Sequence, residues 1–407
     1  MRSPTSRTDD RPEWGNSVTG PLPPSVRSRI DPFIVMDVMR EANARVARGD
    51  DIIHMEVGQP ATPAPKAALA AAEAALRSDK LGYTDALGMP ALRERIAAFY
   101  GERYGIGVPP ERVVVTAGSS GGFILAFLAI LEAGDSFGLP NPGYPCYRHI
   151  LSALGAEPRL IAPGPDDRWM PHARHVEALK AQGAKGLLLA SPNNPTGTMA
   201  VDGRVGEIAR ACARERLWLV SDEIYHGLEY DRPAETALAA SGEAIVVNSF
   251  SKYFSMTGWR IGWLVVPEDL VRPIERLAQN LFISTSAIAQ HAALGAFDGI
   301  EELEETRKVY AENRALLLEE LPKAGFKNIL PADGAFYLYA ETSHMAEDSR
   351  ALCQAMLDRT GVAATPGLDF DPAEGKRFVR FSYAGSLDEM REASKRLKAW
   401  RETGQGF

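Results

Sequence analysis

The segment from Asn248 to Arg260 reads Asn-Ser-Phe-Ser-Lys-Tyr-Phe-Ser-Met-Thr-Gly-Trp-Arg and lies between two short apolar runs. Residues 244–247, Ala-Ile-Val-Val, and residues 261–266, Ile-Gly-Trp-Leu-Val-Val, have the composition of buried strands. A helical crossover between parallel strands usually needs about a dozen or more residues with helical periodicity, which this link lacks. The two strands are therefore predicted to be antiparallel, with Lys252 in the loop at a strand end, where functional groups of open α/β sheets collect.

Strand-like and helix-like segments alternate between residues 112 and 266. The strand-like runs lie at 113–116, 136–139, 159–162, 186–190, 217–221, 244–248 and 262–266, and helical patterns at 121–131, 172–182 and 202–215 separate several of them. This alternation predicts an α/β fold, in which a large domain has a mostly parallel seven-stranded sheet covered by helices on both faces. Neither a G-x-G-x-x-G motif after the first strand nor a P-loop motif is present, so dinucleotide-binding and P-loop folds are not supported.

The two chain ends predict a second, smaller α+β domain. A helix is expected at 37–48 and a strand near Ile52. After Val271, two long helical stretches precede shorter α/β units; the predicted helices are 273–299, 300–321, 349–359 and 387–400, and the predicted strands are 334–339 and 378–382. The predicted division is an N-terminal arm at 1–30, a large domain at 61–298, and a small domain at 31–60 and 299–407.

The composition is that of an ordinary globular protein. The 407-residue chain is 45% hydrophobic and 24% charged, with a net charge of −8. No clustered basic face is indicated, so no nucleic-acid partner is expected. The longest apolar run, 123–131, is shorter than the roughly 20 residues that span a bilayer, so no membrane association is expected. Three widely spaced cysteines suggest neither a zinc site nor a disulfide framework, and residues 1–30 have no signal-peptide core, so the predicted location is cytoplasmic.

Two turns rich in small residues follow predicted strands. Residues 116–123, Thr-Ala-Gly-Ser-Ser-Gly-Gly-Phe, open a helix whose N-terminal N–H groups could bind a phosphate. A serine N-cap after a glycine turn is the alternative. Residues 191–197, Ser-Pro-Asn-Asn-Pro-Thr-Gly, could direct an asparagine into a pocket at a strand's carboxyl end, or form only a rigid turn.

Two charged residues emerge from apolar strands. Asp222, in Ser-Asp-Glu-Ile-Tyr (221–225), is costly to bury unless it meets a cation, so it is predicted to be paired or functional. Its neighbour Glu223 is expected to be solvated or structural. Arg380 alternates with apolar residues in Phe-Val-Arg-Phe-Ser-Tyr (378–383), where it could snorkel, form a structural ion pair, or present a planar fork to a carboxylate ligand.

These clusters form one chemical set, and pyridoxal phosphate would use all of its members. The chain resembles a fold-type I pyridoxal-phosphate enzyme of the class I/II aminotransferase family, related to aspartate aminotransferase. The resemblance runs from about Asp31 to the C-terminus and is carried by four motifs in order: N-P-T-G (194–197), D-E-x-Y (222–225), S-F-S-K (249–252) and G-W-R (258–260).

The resemblance implies a role for each residue around the cofactor ring. Lys252 would bind the aldehyde of pyridoxal 5'-phosphate covalently and move the proton in catalysis. Asp222 would pair with the pyridinium nitrogen. Asn194 and Tyr225 would donate to the phenolic oxygen, and Tyr144 would stack on the ring. The catalytic residues implied are thus Lys252, Asp222 and Tyr225.

The resemblance also implies how phosphate and substrate are held. The phosphate would be bound by Ser119, Ser120, Ser249 and Arg260. Tyr83 resembles the tyrosine that reaches the phosphate of the neighbouring subunit, which implies a homodimer with shared active sites. The substrate α-carboxylate would be gripped by Arg380, helped by Asn194 and the Gly58 backbone.

The implied activity is transfer of the amino group of an L-amino acid to a 2-oxo acid, 2-oxoglutarate or pyruvate, in two half-reactions. A C–S β-lyase on the same scaffold is the open alternative, because such enzymes keep nearly the same cofactor residues. A DNA-binding regulator would need a basic helix-turn-helix module upstream, which residues 1–30 cannot form. No second cation for a distal carboxylate is identified, so the donor side chain stays open. Trp14 and Phe33 could line the entrance or simply pack.

Overall fold

Alternating helices and strands make up most of residues 24–403, the part of the chain that the computed structural model describes. The helices are α1 (Ile34–Ala47), α2 (Lys66–Ser78), α3 (Pro90–Tyr104), α4 (Gly118–Ile130), α5 (Cys146–Leu154), α6 (Ala173–Ala181), α7 (Arg204–Glu215), α8 (Glu268–Leu281), α9 (Ala287–Ala296), α10 (Ile300–Lys323), α11 (Ser349–Thr360) and α12 (Leu387–Glu402). The strands are β1 (Ile53–His54), β2 (Val113–Thr116), β3 (Ser136–Pro140), β4 (Glu157–Ile161), β5 (Gly186–Ala190), β6 (Trp218–Asp222), β7 (Ile245–Ser249), β8 (Gly262–Val265), β9 (Tyr337–Glu341), β10 (Val362–Ala363), β11 (Thr365–Pro366) and β12 (Phe378–Ser382).

The large sheet has seven strands in the order β2-β8-β7-β6-β5-β3-β4. The strands from β7 to β4 are parallel to their neighbours, whereas β8 lies antiparallel between β7 and β2. Ser249 is paired with Gly262, so the intervening residues form a loop at the end of β7. The predicted α/β class, the mostly parallel sheet and the antiparallel pair around Lys252 are therefore confirmed.

The sheet separates two hydrophobic cores because successive side chains of a strand point to opposite faces. In β5, Leu187 and Leu189 belong to the core that α3, α6, α7 and α9 cover, whereas Leu188 belongs to the core that α4, α5 and α8 cover. Every residue of β5 is buried. Burial on both faces explains why these strands have continuous apolar sequences instead of alternating ones.

Two smaller sheets are built mainly from the C-terminal part of the chain, and one of them includes the N-terminal strand β1. In one, β1 pairs in parallel with β10, so that Ile53 lies opposite Val362. In the other, β12 lies between β11 and β9 and is antiparallel to both. Helices α10, α11 and α12 share a core with β12. These sheets confirm the smaller α+β part of the predicted fold, while the domain boundaries stay a prediction.

The helix predicted at 273–299 is wrong in its extent. The chain forms α8 and α9 instead, with a break at residues 282–286. In the break, Ile283 has a φ of 65°, which an α-helix cannot contain. The hydroxyl of Thr285 donates to the carbonyl of Val115 at 3.3 Å. This bond ties the break to β2, a strand that is distant in the sequence.

Among residues 24–403, none of the helices combines the length and the hydropathy needed to span a bilayer. Residues 1–23 of the predicted arm, including Trp14, lie outside the described residues.

Candidate active site

The loop between β7 and β8 carries Lys252 to the edge of a cavity. Its backbone is closed by hydrogen bonds from Phe250 N to Ile261 O (3.1 Å) and from Met256 N to Phe250 O (3.0 Å). The ring of Phe250 packs edge-on against Trp263, with centroids 5.0 Å apart. Lys252 Nζ donates to the Gly58 carbonyl at 2.5 Å. Phe250 therefore anchors the loop in the core, and the amine of Lys252 faces the cavity.

The cavity has a volume of about 530 Å³ and lies where β5, β6 and β7 end. Most of the predicted site residues line it: Gly58, Ser119, Ser120, Tyr144, Asn194, Asp222, Tyr225, Lys252, Arg260 and Arg380. They come together because the carboxyl ends of parallel strands meet at one edge of the sheet. Ser249 and Tyr83 are not among the lining residues.

Asp222 is buried at the last position of β6. It accepts hydrogen bonds from the hydroxyl of Tyr147 and from the backbone N–H of Ile224, the latter at 3.0 Å. Burial raises the pKa of Asp222 to about 6, against the lowering effects of Tyr147, the Ile224 N–H and the charge of Lys252. Its ionised form would therefore gain from a cation placed in the cavity.

Lys252 has a pKa shifted in the opposite direction. Burial lowers the pKa of this amine to about 8, and the positive charges of Arg380 and Arg260 lower it further, whereas Asp222 raises it. With this pKa, about a tenth of the amine is neutral at pH 7. The neutral amine is the form that can act as a nucleophile or a base.

Donors for an anion lie at the start of α4. The helix begins at Gly118, and the preceding Ala117 offers no side-chain cap, so the first N–H groups lack a capping partner within the helix. Ser119, Ser120 and Arg260 line the cavity beside them. A Cβ atom at Gly118 would lie 2.5 Å from Arg260 Nη2, so glycine is needed for the guanidinium to approach the helix. A helix N-terminus, two hydroxyls and an arginine suit a phosphate.

Two predicted residues are placed elsewhere. The hydroxyl of Ser249 is buried and contacts Ser251 Oγ at 2.9 Å and the Ile261 carbonyl at 3.0 Å, while Ser251 itself lines the cavity. Tyr83 is 85% exposed and lines a separate surface cavity with residues 284–288. The phosphate contacts expected of Ser249 and Tyr83 stay predictions.

Arg380, on β12, is buried on another side of the cavity, with 2% of its surface exposed. Its guanidinium carbon lies 4.4 Å from the ring centre of Tyr337 and 4.6 Å from that of Phe370. The oxygens that accept its hydrogen bonds are uncharged; they belong to the side chains of Asn194 (2.8 Å) and Thr365 and to the backbone of Glu56. Its Nε has no hydrogen-bond partner among the described residues. A buried arginine with spare donors is suited to a carboxylate ligand.

Aromatic side chains fill the space between these charged groups. The hydroxyls of Tyr225 and Tyr337 are 2.7 Å apart. A Cβ atom at Gly58 would lie 1.8 Å from Tyr337 Oη, so only glycine admits this ring. Tyr144 packs edge-on against Tyr147, with centroids 5.3 Å apart. The cavity therefore has charged groups at defined points and an aromatic lining between them.

Glu223, expected to be solvated or structural, is buried, so the solvated alternative is wrong. Its Oε1 accepts from Ser221 Oγ (3.0 Å), Thr236 Oγ1 (3.1 Å) and Ala237 N (2.9 Å). Burial raises its pKa to about 7 despite these bonds.

Several cavity residues escaped prediction from the sequence. Tyr147 lies at the start of α5, three residues after Tyr144, and its backbone N–H donates to the Tyr144 carbonyl at 3.2 Å, a one-turn spacing that would have placed the two side chains near each other. Tyr337 lies in an apolar strand and has the sequence context of a core residue. Further cavity residues lie outside the motifs, among them Phe33, whose position was left open, Met36, Met39 and Val57, whereas Ser251 lies inside the S-F-S-K motif but was given no role.

Residues 50–397 match the family described as aminotransferase class I and II. The chain is 46% identical to the valine–pyruvate aminotransferase of Mycobacterium tuberculosis over 380 residues, which cover 92% of this chain and 98% of that protein.

Solved structures agree with this match. A crystal structure of an aminotransferase from Mycobacterium tuberculosis superposes with a TM-score of 0.91 at 45% identity, covering 94% of this chain and 100% of that one. The aspartate aminotransferase of Thermus thermophilus, solved with maleate, gives a TM-score of 0.87 at 30% identity, covering 93% and 99%. This chain therefore belongs to the class I and II aminotransferase family.

Proposed function

We propose that the protein is a pyridoxal-phosphate-dependent aminotransferase that moves the amino group of an L-amino acid to a 2-oxo acid. The observation that carries this proposal is the placement of Lys252, Asp222 and Arg380 around one cavity, with Asp222 and Arg380 buried and Lys252 half-buried, and each with unused capacity for a ligand. Pyridoxal phosphate, when bound, supplies an electron sink for the substrate Cα and holds the amino group between the two half-reactions.

The donor set fits this cofactor at the phosphate. The α4 N-terminus, Ser119, Ser120 and Arg260 would hold the dianion. Ser251 is a further candidate because it lines the cavity, and Ser249 would act through its contact with Ser251. Gly118 supports the fit, since a side chain there would displace the arginine.

The donor set also fits at the ring. Asp222 would pair with the pyridinium nitrogen, since an ionised carboxylate in a buried place needs a cation. Asn194 and Tyr225 would donate to the phenolic oxygen, and Tyr144 would cover a face of the ring. Tyr147 would keep Asp222 ionised and correctly oriented through its hydrogen bond.

Lys252 and Arg380 would carry out and orient the chemistry. The neutral form of Lys252, available because of its lowered pKa, would take a proton at Nζ from the substrate Cα and return it to the cofactor side. Arg380 and the Gly58 backbone would hold the α-carboxylate, with Asn194 fixing the guanidinium. This grip would align the Cα–H bond with the amine and favour proton loss over decarboxylation.

The substrates to test first come from a relative's name. Because a protein 46% identical to this chain is called valine–pyruvate aminotransferase, we propose L-valine as an amino donor and pyruvate as an acceptor, with 2-oxoglutarate as the alternative acceptor.

We also propose a homodimer with shared active sites. Tyr83, Leu76, Leu281 and Ile283 are large apolar side chains with 51 to 85% of their surface exposed. Exposed apolar residues of this size favour a protein interface. A second copy covering them would bring the partner subunit's Tyr83 toward the phosphate end of the cavity.

Two further proposals concern location and domains. Cys146, Cys212 and Cys353 are free thiols, which fits a reducing compartment such as the cytoplasm. The small sheets, built from residues 53–54 and 337–382, support a small domain at 31–60 and 299–407, and we propose with it a large domain at 61–298 and an arm at 1–30.

A half-reaction tests the activity. Protein loaded with pyridoxal phosphate is mixed with L-valine alone, and its visible absorbance should fall as one equivalent of 2-oxo acid forms per site; pyruvate should then restore the absorbance. Lys252→Ala should abolish both changes, whereas Lys308→Ala, at an exposed lysine on α10, should not. Continuous release of ammonia without an acceptor would instead support a lyase and overturn the proposal.

A further inference from the structure

We propose that Asp369 is a positioning residue that holds α1 across the active-site cavity, so that apolar side chains of α1 select amino donors with apolar side chains. The inference rests on the proposed aminotransferase function and adds to it the substrate class and the residues that set it.

The first turn of α1 has no cap of its own. Its N-cap residue is Phe33, whose side chain cannot accept a hydrogen bond. The backbone N–H groups of Ile34 and Val35 instead donate to Asp369, at 3.1 Å to Oδ1 and 3.0 Å to Oδ2. Asp369 is 1% exposed, so both bonds are shielded from water. A negative charge at a helix N-terminus also favours the helix dipole.

The capped turn places apolar side chains against the cavity. Phe33, Val35, Met36 and Met39 line it. Phe33 packs edge-on against Tyr144, with centroids 5.8 Å apart, and so touches the residue proposed to cover the cofactor ring. Met36 lines the cavity and is 45% exposed although it is apolar. This α1 wall contains no charged residue.

The charged groups of the cavity already have other proposed partners. The charged residues that line it are Asp222, Lys252, Arg260 and Arg380, assigned to the ring nitrogen, the reactive aldehyde, the phosphate and the α-carboxylate. No cation among the lining residues is left for a distal carboxylate. A donor side chain that meets Phe33, Met36 and Met39 gains free energy only if it is apolar.

The segment that caps α1 also touches the carboxylate grip. Phe370, next to Asp369, lies 4.6 Å from the guanidinium carbon of Arg380. Arg148 Nη2 donates to the Asp369 carbonyl at 2.7 Å, and Gly143 N donates to the Phe370 carbonyl at 3.1 Å. Asp369 and Phe370 therefore fix the α1 wall relative to Arg380, and this separation sets which side chains fit once the α-carboxylate is bound.

Asp369→Ala and Asp369→Asn test the role of the carboxylate. The alanine variant removes both acceptors of α1, and the asparagine variant keeps one. Loss of a helix N-cap typically corresponds to about a fivefold change in an equilibrium constant. We expect KM for L-valine and L-leucine to rise about fivefold in Asp369→Ala and less in Asp369→Asn, with kcat little changed. KM for L-alanine, whose methyl group makes little contact with the wall, should rise less.

The matched control is Asp371→Asn. Asp371 is also buried, but its Oδ1 accepts from Ala373 N and Glu374 N within its own turn and not from α1. In this variant, the ratio of the KM values for L-leucine and L-alanine should equal that of the unaltered enzyme.

Hydrogen exchange gives a readout that does not need catalysis. In protein without cofactor, amides at the start of α1 should exchange faster in Asp369→Ala than in Asp371→Asn, while amides of β6 keep their protection. The proposal would be overturned if the amides of α1 exchanged at the same rate in Asp369→Ala as in the unaltered protein. It would also be overturned if an active and folded Asp369→Ala variant kept the unaltered ratio of the KM values for L-leucine and L-alanine, or if the unaltered enzyme preferred L-aspartate to L-leucine. If no amino acid is transaminated at all, the proposed function fails, and the exchange measurement still tests the cap by itself.

Discussion

Replacement of Tyr147 by phenylalanine tests how the protein keeps Asp222 ionised. The change removes the hydroxyl that donates to Asp222 and leaves the Ile224 N–H as the other donor. A hydrogen bond to a charged group contributes about 1.5–3 kcal/mol, and one pKa unit corresponds to about 1.4 kcal/mol. The pKa of Asp222, about 6 in the unaltered protein, should therefore rise by about one to two units.

The consequence is a pH-dependent loss of cofactor affinity. Because only the ionised carboxylate pairs with a pyridinium nitrogen, apparent affinity scales with the ionised fraction of Asp222. At pH 7 that fraction falls from about nine-tenths to between about one-half and one-tenth, so binding should weaken about two- to tenfold. At pH 9 Asp222 is ionised in both proteins, and the difference should nearly vanish.

The assay is a titration of cofactor-free protein with pyridoxal phosphate, followed by absorbance from pH 6 to pH 9. At each pH, the dissociation constant of Tyr147→Phe is divided by that of the unaltered protein. This ratio removes the effect of the titration of Lys252, because both proteins contain that residue. Tyr253→Phe is the control, because it removes a 2.7 Å tyrosine–carboxylate hydrogen bond to Glu304 outside the cavity. An affinity loss that is equal at every pH, or no loss at pH 7, would refute the reasoning.

Three other perturbations have defined outcomes. Gly58→Ala should lower the melting temperature and abolish the half-reaction, because its Cβ would lie 1.8 Å from Tyr337 Oη. Adding Tyr337→Phe to the Gly58→Ala protein should restore part of the stability. Equal melting temperatures of the unaltered protein and Gly58→Ala would contradict the clash. The raised pKa of Glu223, about 7, makes the folded state lose stability as pH rises from 4.5 to 7; Glu223→Gln should remove this slope, as urea unfolding at several pH values would show. Met39→Arg should add a cation to the α1 wall and raise kcat/KM for L-aspartate relative to L-leucine by about tenfold or more; an unchanged ratio would place the donor side chain elsewhere.

The strands of the large sheet could be predicted almost residue by residue. Runs such as 113–116 and 186–190 are apolar and bounded by turn residues, so the signal lies within a few neighbouring positions. The site residues on the motif loops were predictable for the same reason: each follows a strand, and parallel strands place their carboxyl ends together. The break at 282–286 was missed because it depends on a contact with Val115, far away in sequence.

The orientation of side chains within the motifs was not predictable. Ser249 and Ser251 have the same chemistry and are two residues apart, yet the hydroxyl of Ser249 turns to Ile261 and Ser251 lines the cavity. From the sequence, Glu223 could be either exposed to solvent or buried. Its buried position follows from the partners Thr236 and Ala237, which a separate turn supplies.

The sequence by itself determined the fold class and the set of chemical groups that meet where the parallel strands end. The fold class depends on local periodicity, and the meeting of the groups depends on the rule that parallel strands place their carboxyl ends at one edge of the sheet. Only the tertiary structure decided which groups support them. Tyr147 meets Asp222 across 75 residues, and Asp369 caps α1 across 335. Hydrogen bonds between such distant residues leave no local pattern, because they form only when separate elements pack against each other.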